Sequence, residues 1–148
     1  MTWILGYLKP GETPNLDYLI EFNQTIYTDS SMASFQENGY AYIPTECANG
    51  KPCKVHVAFH GCKQSTSIIG FDSIEHAGYL ELAEANNIAI LFPQVAESEN
   101  TPHNPGGCFD WWGYSNTDAT DIMQYATQAG TQTAAVWKMI QQMTTASS

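Results

Sequence analysis

Five successive apolar residues, Ile88-Ala89-Ile90-Leu91-Phe92, leave this chain few folds. A strand points alternate side chains to opposite faces, so a strand apolar on both has to be covered on both, as in a parallel sheet packed between layers. Upstream, Val55, Val57 and Phe59 alternate with His56 and Ala58 before His60-Gly61-Cys62, a second strand that stops at a turn. Between the two, Asp72 followed three residues later by Glu75 has the form of a capping box. Ile74, Ala77, Leu80, Leu82 and Ala83 then offer a buried helical stripe that Gly78 interrupts. Strand, helix and strand make a βαβ unit, expected to be right-handed.

The flanks add to this unit. One strand is expected within residues 16–27, where Leu19, Ile20, Phe22 and Ile26 are apolar without a clean period, and another at Gly39-Tyr40-Ala41-Tyr42-Ile43, which Pro44 ends. The latter is expected to pair with the strand around Val55 and Phe59, across the turn that Cys47 and Cys53 bracket. Val136, Met139, Ile140 and Met143 recur at helical spacing and predict an amphipathic helix covering one sheet face. Residues 1–6 read as the end of a helix stopped by Gly6 or Pro10, and residues 144–148 as a polar tail. Residues 93–130 are long, polar and broken by Pro102, Pro105, Gly106 and Gly107. A loop of that length in a compact domain is functional or tethered. No repeat and no linker divides the chain, so residues 1–148 read as a single domain.

Fifteen acidic residues against five basic ones, all lysines, give a formal net charge of -10, which repels phosphate backbones and anionic lipid. Neither nucleic acid nor a membrane is an expected partner, and no apolar run approaches a membrane span. Cys47, Cys53, Cys62 and Cys108 lack the paired C-x-x-C units of a structural zinc site, and His56, His76 and His103 have no ligand-like spacing. No metal or cofactor is expected. Two disulfides suit the cysteines better: Cys47 with Cys53 across the turn-rich Ala-Asn-Gly-Lys-Pro, leaving Cys62 and Cys108 to close a longer loop. Disulfides imply an oxidising compartment, although the first residues lack the basic and apolar regions of a signal peptide.

Five ordered segments carry a family resemblance: Gly39-Tyr-Ala-Tyr-Ile-Pro, Cys53-Lys-Val-His-Val-Ala-Phe-His-Gly-Cys-Lys-Gln-Ser, Ala77-Gly-Tyr, Asn86-Asn-Ile-Ala-Ile-Leu-Phe-Pro-Gln and Asn104-Pro-Gly-Gly-Cys-Phe-Asp-Trp-Trp-Gly-Tyr. Together they resemble extracellular poly(3-hydroxybutyrate) depolymerases, above all members with a circularly permuted α/β-hydrolase order. The resemblance implies an α/β class: a partial α/β-hydrolase fold, a mixed sheet with helices on its faces and a long disulfide-tethered loop. In such members the serine, aspartate and histidine of the triad precede the segment similar to residues 1–10. The chain therefore looks like their C-terminal portion, an incomplete domain whose partner is the upstream portion of the same enzyme. It also implies extracellular localisation and a polyester or oligomeric ester substrate.

The residues agree with a missing nucleophile, because no Gly-x-Ser-x-Gly elbow occurs. Gly113-Tyr-Ser115-Asn-Thr117 is the nearest string, but it follows Asp110-Trp-Trp in a polar loop rather than a buried strand. Ser65 and Ser67 lie beside the turn and need a base; His60, the histidine of His-Gly, is expected to brace the turn instead. By resemblance, the backbone N–H of Cys62 donates to the oxyanion, alongside its role as a disulfide partner. Trp111 and Trp112 are substrate-binding candidates, with core packing of both as the alternative. Asp110 is expected to stabilise its loop rather than to serve as a triad acid. The expected function is thus the C-terminal portion of a serine esterase, inactive alone. The alternative is a non-catalytic polymer- or carbohydrate-binding module using the Trp111/Trp112 loop. Made alone, half a sheet should show poor solubility or association through its open edge.

Overall fold

The computed structural model describes residues 5–116 and 123–145. Residues 1–4 of the expected helix end, Thr117 of the elbow-like string and residues 146–148 of the expected tail lie outside them. Four strands, β1 (Leu19–Asn23), β2 (Asn38–Tyr42), β3 (Lys54–Val57) and β4 (Ile88–Phe92), form one sheet in the order β1-β2-β4-β3. β1 and β2 pair antiparallel, as do β2 and β4, while β3 and β4 are parallel with Val55 opposite Ala89 and Val57 opposite Leu91. The sheet is therefore mixed.

β4 is buried at all five positions, and an all-apolar strand gains most at the centre with a neighbour on each edge. That preference overturns the expected pairing of β2 with β3, since β4 lies between them. The stretch between Cys47 and Cys53 does not reverse the chain as a tight hairpin. It starts with a short helix, α1 (Thr45–Ala48), and delivers β3, which carries Lys54 and His56, to the sheet edge. The strand expected over residues 16–27 is confined to β1, with a single 3₁₀ turn on each side.

The connection from β3 to β4 contains α2 (Thr66–Ile69), α3 (Asp72–Glu75) and α4 (Tyr79–Asn86). A single helix through Asp72 and Ala83 does not form, because Gly78 adopts φ +78°, a left-handed conformation that ends helices. The capping box is also absent. Phe71 occupies the cap of α3 without a side-chain bond, and Asp72 lies within its first turn.

Helices cover both faces of the sheet. On one, Leu80 and Ala83 of α4 pack with Ile74, Tyr40, Tyr42, Ile88, Ile90 and Phe92. On the other, Val136 and Met139 of α5 (Thr131–Thr145) pack on Leu91, with Phe22, Val57, Ile140 and Met143 around them. Each fully buried Ile or Leu here stabilises by roughly 1.5–3 kcal/mol. The fully buried Gln24 side chain is paired. The Gln24 amide donates to the carbonyls of Gln36, Asn38 and Gln94 and accepts the Gln94 N–H at 3.1 Å. Among the described residues no helix is long and apolar enough to cross a membrane.

Candidate active site

β3 leads into the turn at Gly61 and Cys62. Its last link to the sheet is the Ala58 N–H, which donates to Leu91 O at 2.9 Å, and the chain then leaves through Phe59 and His60. His60 spans the gap to β4: its Nδ1 lies 2.8 Å from Gly61 O, and its Nε2 accepts the Val95 N–H at 3.2 Å. Only a neutral ring protonated at Nδ1 serves both partners. Burial holds the His60 pKa below the usual histidine value, which keeps that form at neutral pH. With both nitrogens engaged, His60 braces the turn and has no nitrogen left to act as a base.

The turn's amides are distributed unequally. The Gly61 N–H donates to Gln64 Oε1 at 3.1 Å, and the Lys63 N–H to Gly106 O at 2.7 Å. Lys63 takes φ +59°, a conformation that costs a non-glycine residue free energy and points to an imposed turn geometry. A Cβ on Gly61 would meet Gln64 Oε1 at 2.7 Å, so the Gln64 clamp requires glycine there. Between the two engaged amides, that of Cys62 has no acceptor among the described residues, and Cys62 is exposed.

Both expected disulfides form, Cys47–Cys53 and Cys62–Cys108. The second ties the turn to the loop that carries the tryptophans. Asn104, fully buried, fixes the other end: its Oδ1 accepts the Cys108 N–H at 2.9 Å, and its Nδ2 donates to Cys108 O and Tyr114 Oη, both at 3.0 Å. Phe109 then packs edge-on to Phe59, with ring centroids 4.7 Å apart, and lies 5.0 Å from the His60 ring.

Asp110 nucleates the next turn. Its Oδ1 accepts the N–H groups of Trp112, Gly113 and Tyr114, and its Oδ2 accepts the N–H and Oγ–H of Ser115. Burial pushes the Asp110 carboxyl up, but the bonds from Ser115, Gly113 and Trp112 outweigh it and hold the pKa below the usual range. The Tyr114 hydroxyl, pushed up to about 12 chiefly by burial, stays protonated and donates to Cys108 O at 2.7 Å. Folding the backbone around one carboxylate leaves the indoles outside: Trp111 is 67% and Trp112 41% exposed, their ring centroids 5.1 Å apart. Neither is core.

The serines near the turn are all hydrogen-bonded, although Ser67 is exposed. Ser115 is fully buried, and its hydroxyl donates at 2.6 Å to a carboxylate that takes four other bonds. Ser65 is fully buried beside Ser67, and the Ser67 hydroxyl accepts from Gln36 Nε2 at 2.9 Å. Three residues that the sequence reading assigned no role do most of the positioning: Gln64, Asn104 and Gln132. Gln132 Oε1 accepts the Asp110 N–H at 2.8 Å, and its Nε2 donates to Ala33 O and Tyr114 Oη, both at 2.7 Å. One signal was available: Gln132 is a lone polar residue on the Val136–Met139 stripe of α5, one turn before Val136.

The chain is 36% identical over 155 residues to a polyhydroxybutyrate depolymerase of Talaromyces funiculosus, a match covering 97% of this chain and 43% of that protein. It is 36% identical over 124 residues to a poly(3-hydroxybutyrate) depolymerase of Delftia acidovorans, covering 82% of this chain and 22% of the relative. A solved structure of a serine-to-alanine variant of PHB depolymerase, complexed with an R3HB trimer, superposes with a TM-score of 0.80 at 34% identity; it covers 95% of this chain and 45% of that one. The crystal structure of PHB depolymerase from Penicillium funiculosum gives 0.78 over the same shares. No family model matches. The chain thus spans less than half the length of the relatives it matches.

Proposed function

Because the chain belongs by sequence and fold to the poly(3-hydroxybutyrate) depolymerase family, a family of polyester hydrolases, we propose that it carries the oxyanion-hole portion of a serine polyester esterase. Its substrates are poly(3-hydroxybutyrate) or related oligomeric esters, and it works outside the cell, where its two disulfides persist. A serine supplied from outside these residues attacks the ester carbonyl, and the carbonyl oxygen takes up negative charge. The Cys62 N–H donates to that oxygen, and a second donor comes from the nucleophile's own segment. Loss of the alcohol leaves an acyl-serine, which a histidine-activated water hydrolyses. The observation that carries this reading is the turn at Cys62, where the amides on either side are bonded internally and the middle one is open. Trp111 and Trp112 line the approach for the polymer chain.

The test joins this chain to the nucleophile-bearing remainder of the Talaromyces relative and follows release of p-nitrophenol from a short-chain ester. The chain alone should be silent and the fusion active; serine-inhibitor-sensitive turnover by the chain alone overturns the proposal. Within the fusion, Cys62→Pro/Cys108→Ala and Cys62→Ala/Cys108→Ala both lack the disulfide, but only the first lacks the amide hydrogen. The proline variant should have a kcat lower by about 100- to 1,000-fold, the scale of one lost oxyanion donor.

A second reading is favoured by the exposure of the two indoles: the loop is a polymer- or carbohydrate-binding surface without catalysis. Retention on polymer granules, lost in Trp111→Ala and Trp112→Ala while the fusion stays inactive, would select it.

A further inference from the structure

Of the asparagines in the chain, only Asn23 is followed two positions on by a hydroxyl-bearing residue. Asn23-Gln24-Thr25, with no proline inside it or directly after it, has the Asn-x-Thr form that accepts N-linked sugar in secreted proteins. A string this short is weak until the fold shows what its residues do, and here they divide. Asn23 is the last residue of β1 and Thr25 opens the 3₁₀ turn after it; both are exposed. Gln24 between them is fully buried, its amide bonded to three carbonyls. Along β1, Phe22 packs towards the core beside α5, and strand alternation turns Asn23 the other way, into solvent.

The Asn23 amide is held by one end only. Its Oδ1 accepts the Thr25 N–H at 2.9 Å and the Thr25 Oγ–H at 2.7 Å, while Nδ2 donates no hydrogen bond among the described residues. Asn38, opposite Asn23 in the sheet, gives its own Nδ2 to Glu21 Oε1 at 2.7 Å. A turn that merely ended β1 needs the Asn23 carbonyl and the N–H two residues on; it makes no use of a hydroxyl. An acceptor for N-linked sugar requires one. The position also has room and a use for a bulky, solvated group. β1 and β3 stand at opposite ends of the sheet order, so Asn23 is well away from the Cys62 turn. β1 has no neighbour on its outer side among the described residues, and Ile20 and Ile26 are exposed near it, the kind of edge that proteins otherwise blunt with charge or cover.

Resting on the extracellular reading above, we infer that Asn23 is a glycosylation site: in a eukaryotic secretory pathway it accepts one N-linked oligosaccharide at Nδ2, which stands over the outer edge of β1. The donor is an oligosaccharide carried on a lipid pyrophosphate. The Asn23 nitrogen bonds to C1 of the first sugar as the C1–O bond to pyrophosphate breaks; the lipid pyrophosphate leaves with the bonding pair, and the amide gives up one proton. Transfer takes place on the entering chain, before Gln24 is buried, and folding then leaves the sugar in solvent.

The experiment secretes this chain from yeast behind an added leader, recovers both the medium and the cell-retained chain, and reads them by intact mass, peptide mass spectrometry and thiol alkylation. The inference predicts a single N-linked glycan that peptide-N-glycosidase removes in heavy-oxygen water, converting Asn23 alone to a labelled aspartate. Asn23→Gln and Thr25→Val should each lose the glycan completely, whereas Thr25→Ser should retain it on a smaller fraction of chains. Thr25→Val keeps the backbone N–H and the shape of the side chain, so loss there separates the acceptor from a change in the turn. A glycan that persists in Thr25→Val, or an N-linked glycan found only on another residue, overturns the inference. Bare Asn23 in chains whose cysteines are paired also overturns it and leaves the extracellular reading standing. Bare Asn23 with reduced cysteines overturns both, and glycosylated Asn23 in chains whose cysteines stay reduced sinks the extracellular reading alone.

Discussion

Asp110 concentrates more of the site's geometry than any other side chain. Its carboxylate accepts five hydrogen bonds from the four residues 112–115, four from backbone and one from the Ser115 hydroxyl. Removing it strands donors in a half-buried loop, and each buried donor left unsatisfied costs about 1–3 kcal/mol. Asp110→Ala should therefore lower stability by about 3 kcal/mol in urea titration and flatten the near-ultraviolet dichroism of the Trp111–Trp112 pair; an unaltered spectrum would falsify the anchoring role. Asp110→Asn keeps an acceptor at one oxygen only and should fall between. Titration has a definite sign. The folded pKa of Asp110 is depressed, so its contribution is complete above the unfolded carboxyl value and is lost as pH falls through the folded one. His60 is depressed for a different reason, burial of a neutral ring. Unfolded chains take up that proton first, so stability declines as pH drops below about 6.5. His56, also lowered by burial, adds to the same slope. Replacing His60 with Gln should thus reduce, without abolishing, the fall in stability between pH 6.5 and 5, measured by denaturant midpoints.

At the level of elements, hydrophobic pattern located what burial alone decides and missed what competition between neighbours decides. The Ile88–Phe92 run, the Val136–Met143 stripe and the βαβ unit were legible because each has one way to leave water. The partner of β2 was not. Both β3 and β4 could pair with it, and the choice depends on which strand gains more from the centre of the sheet. Gly78 was visible as an interruption, but its meaning depends on φ +78°, which no periodicity encodes. A Cβ at Gly78 meets nothing within 4 Å, so substitution is penalised by conformation alone. Gly78→Ala should destabilise by about 1–2 kcal/mol, the cost of a left-handed L-residue, although alanine favours helices elsewhere; a stabilised variant would mean that α3 and α4 can merge. At the site, the cysteine pairs and the bracing role of His60 could be read from the sequence. Gln64 and Asn104 could not, because amides that satisfy backbone groups have no spacing of their own, and Gln132 left only the mark of a polar residue on an apolar stripe.

Across the whole molecule, the two disulfides have unequal tasks, and chain entropy ranks them. Cys47–Cys53 closes a separation of 6 residues within one corner. Cys62–Cys108 closes 46, and the enclosed chain contains α2, α3, α4 and β4. Loop-closure entropy grows with the logarithm of loop length, giving about 2 kcal/mol for the short loop and about 4 kcal/mol for the long one. Cys62→Ala/Cys108→Ala should accordingly lower the urea midpoint roughly twice as far as Cys47→Ala/Cys53→Ala. The consequences differ beyond stability. Without the long bridge, the Cys62 turn keeps only the Lys63–Gly106 bond to the tryptophan loop in its immediate neighbourhood, and Phe59 and Phe109 can separate. Amide exchange should then rise at residues 61–64 and 108–115 together, while β1 and β2 stay protected. Opening the short bridge should speed exchange only around residues 45–54. Concerted loosening of turn and loop in the first variant, set against local fraying in the second, follows if the Cys62 turn and the tryptophan loop are one mechanical unit; exchange rising in only one of the two would show them to be independent.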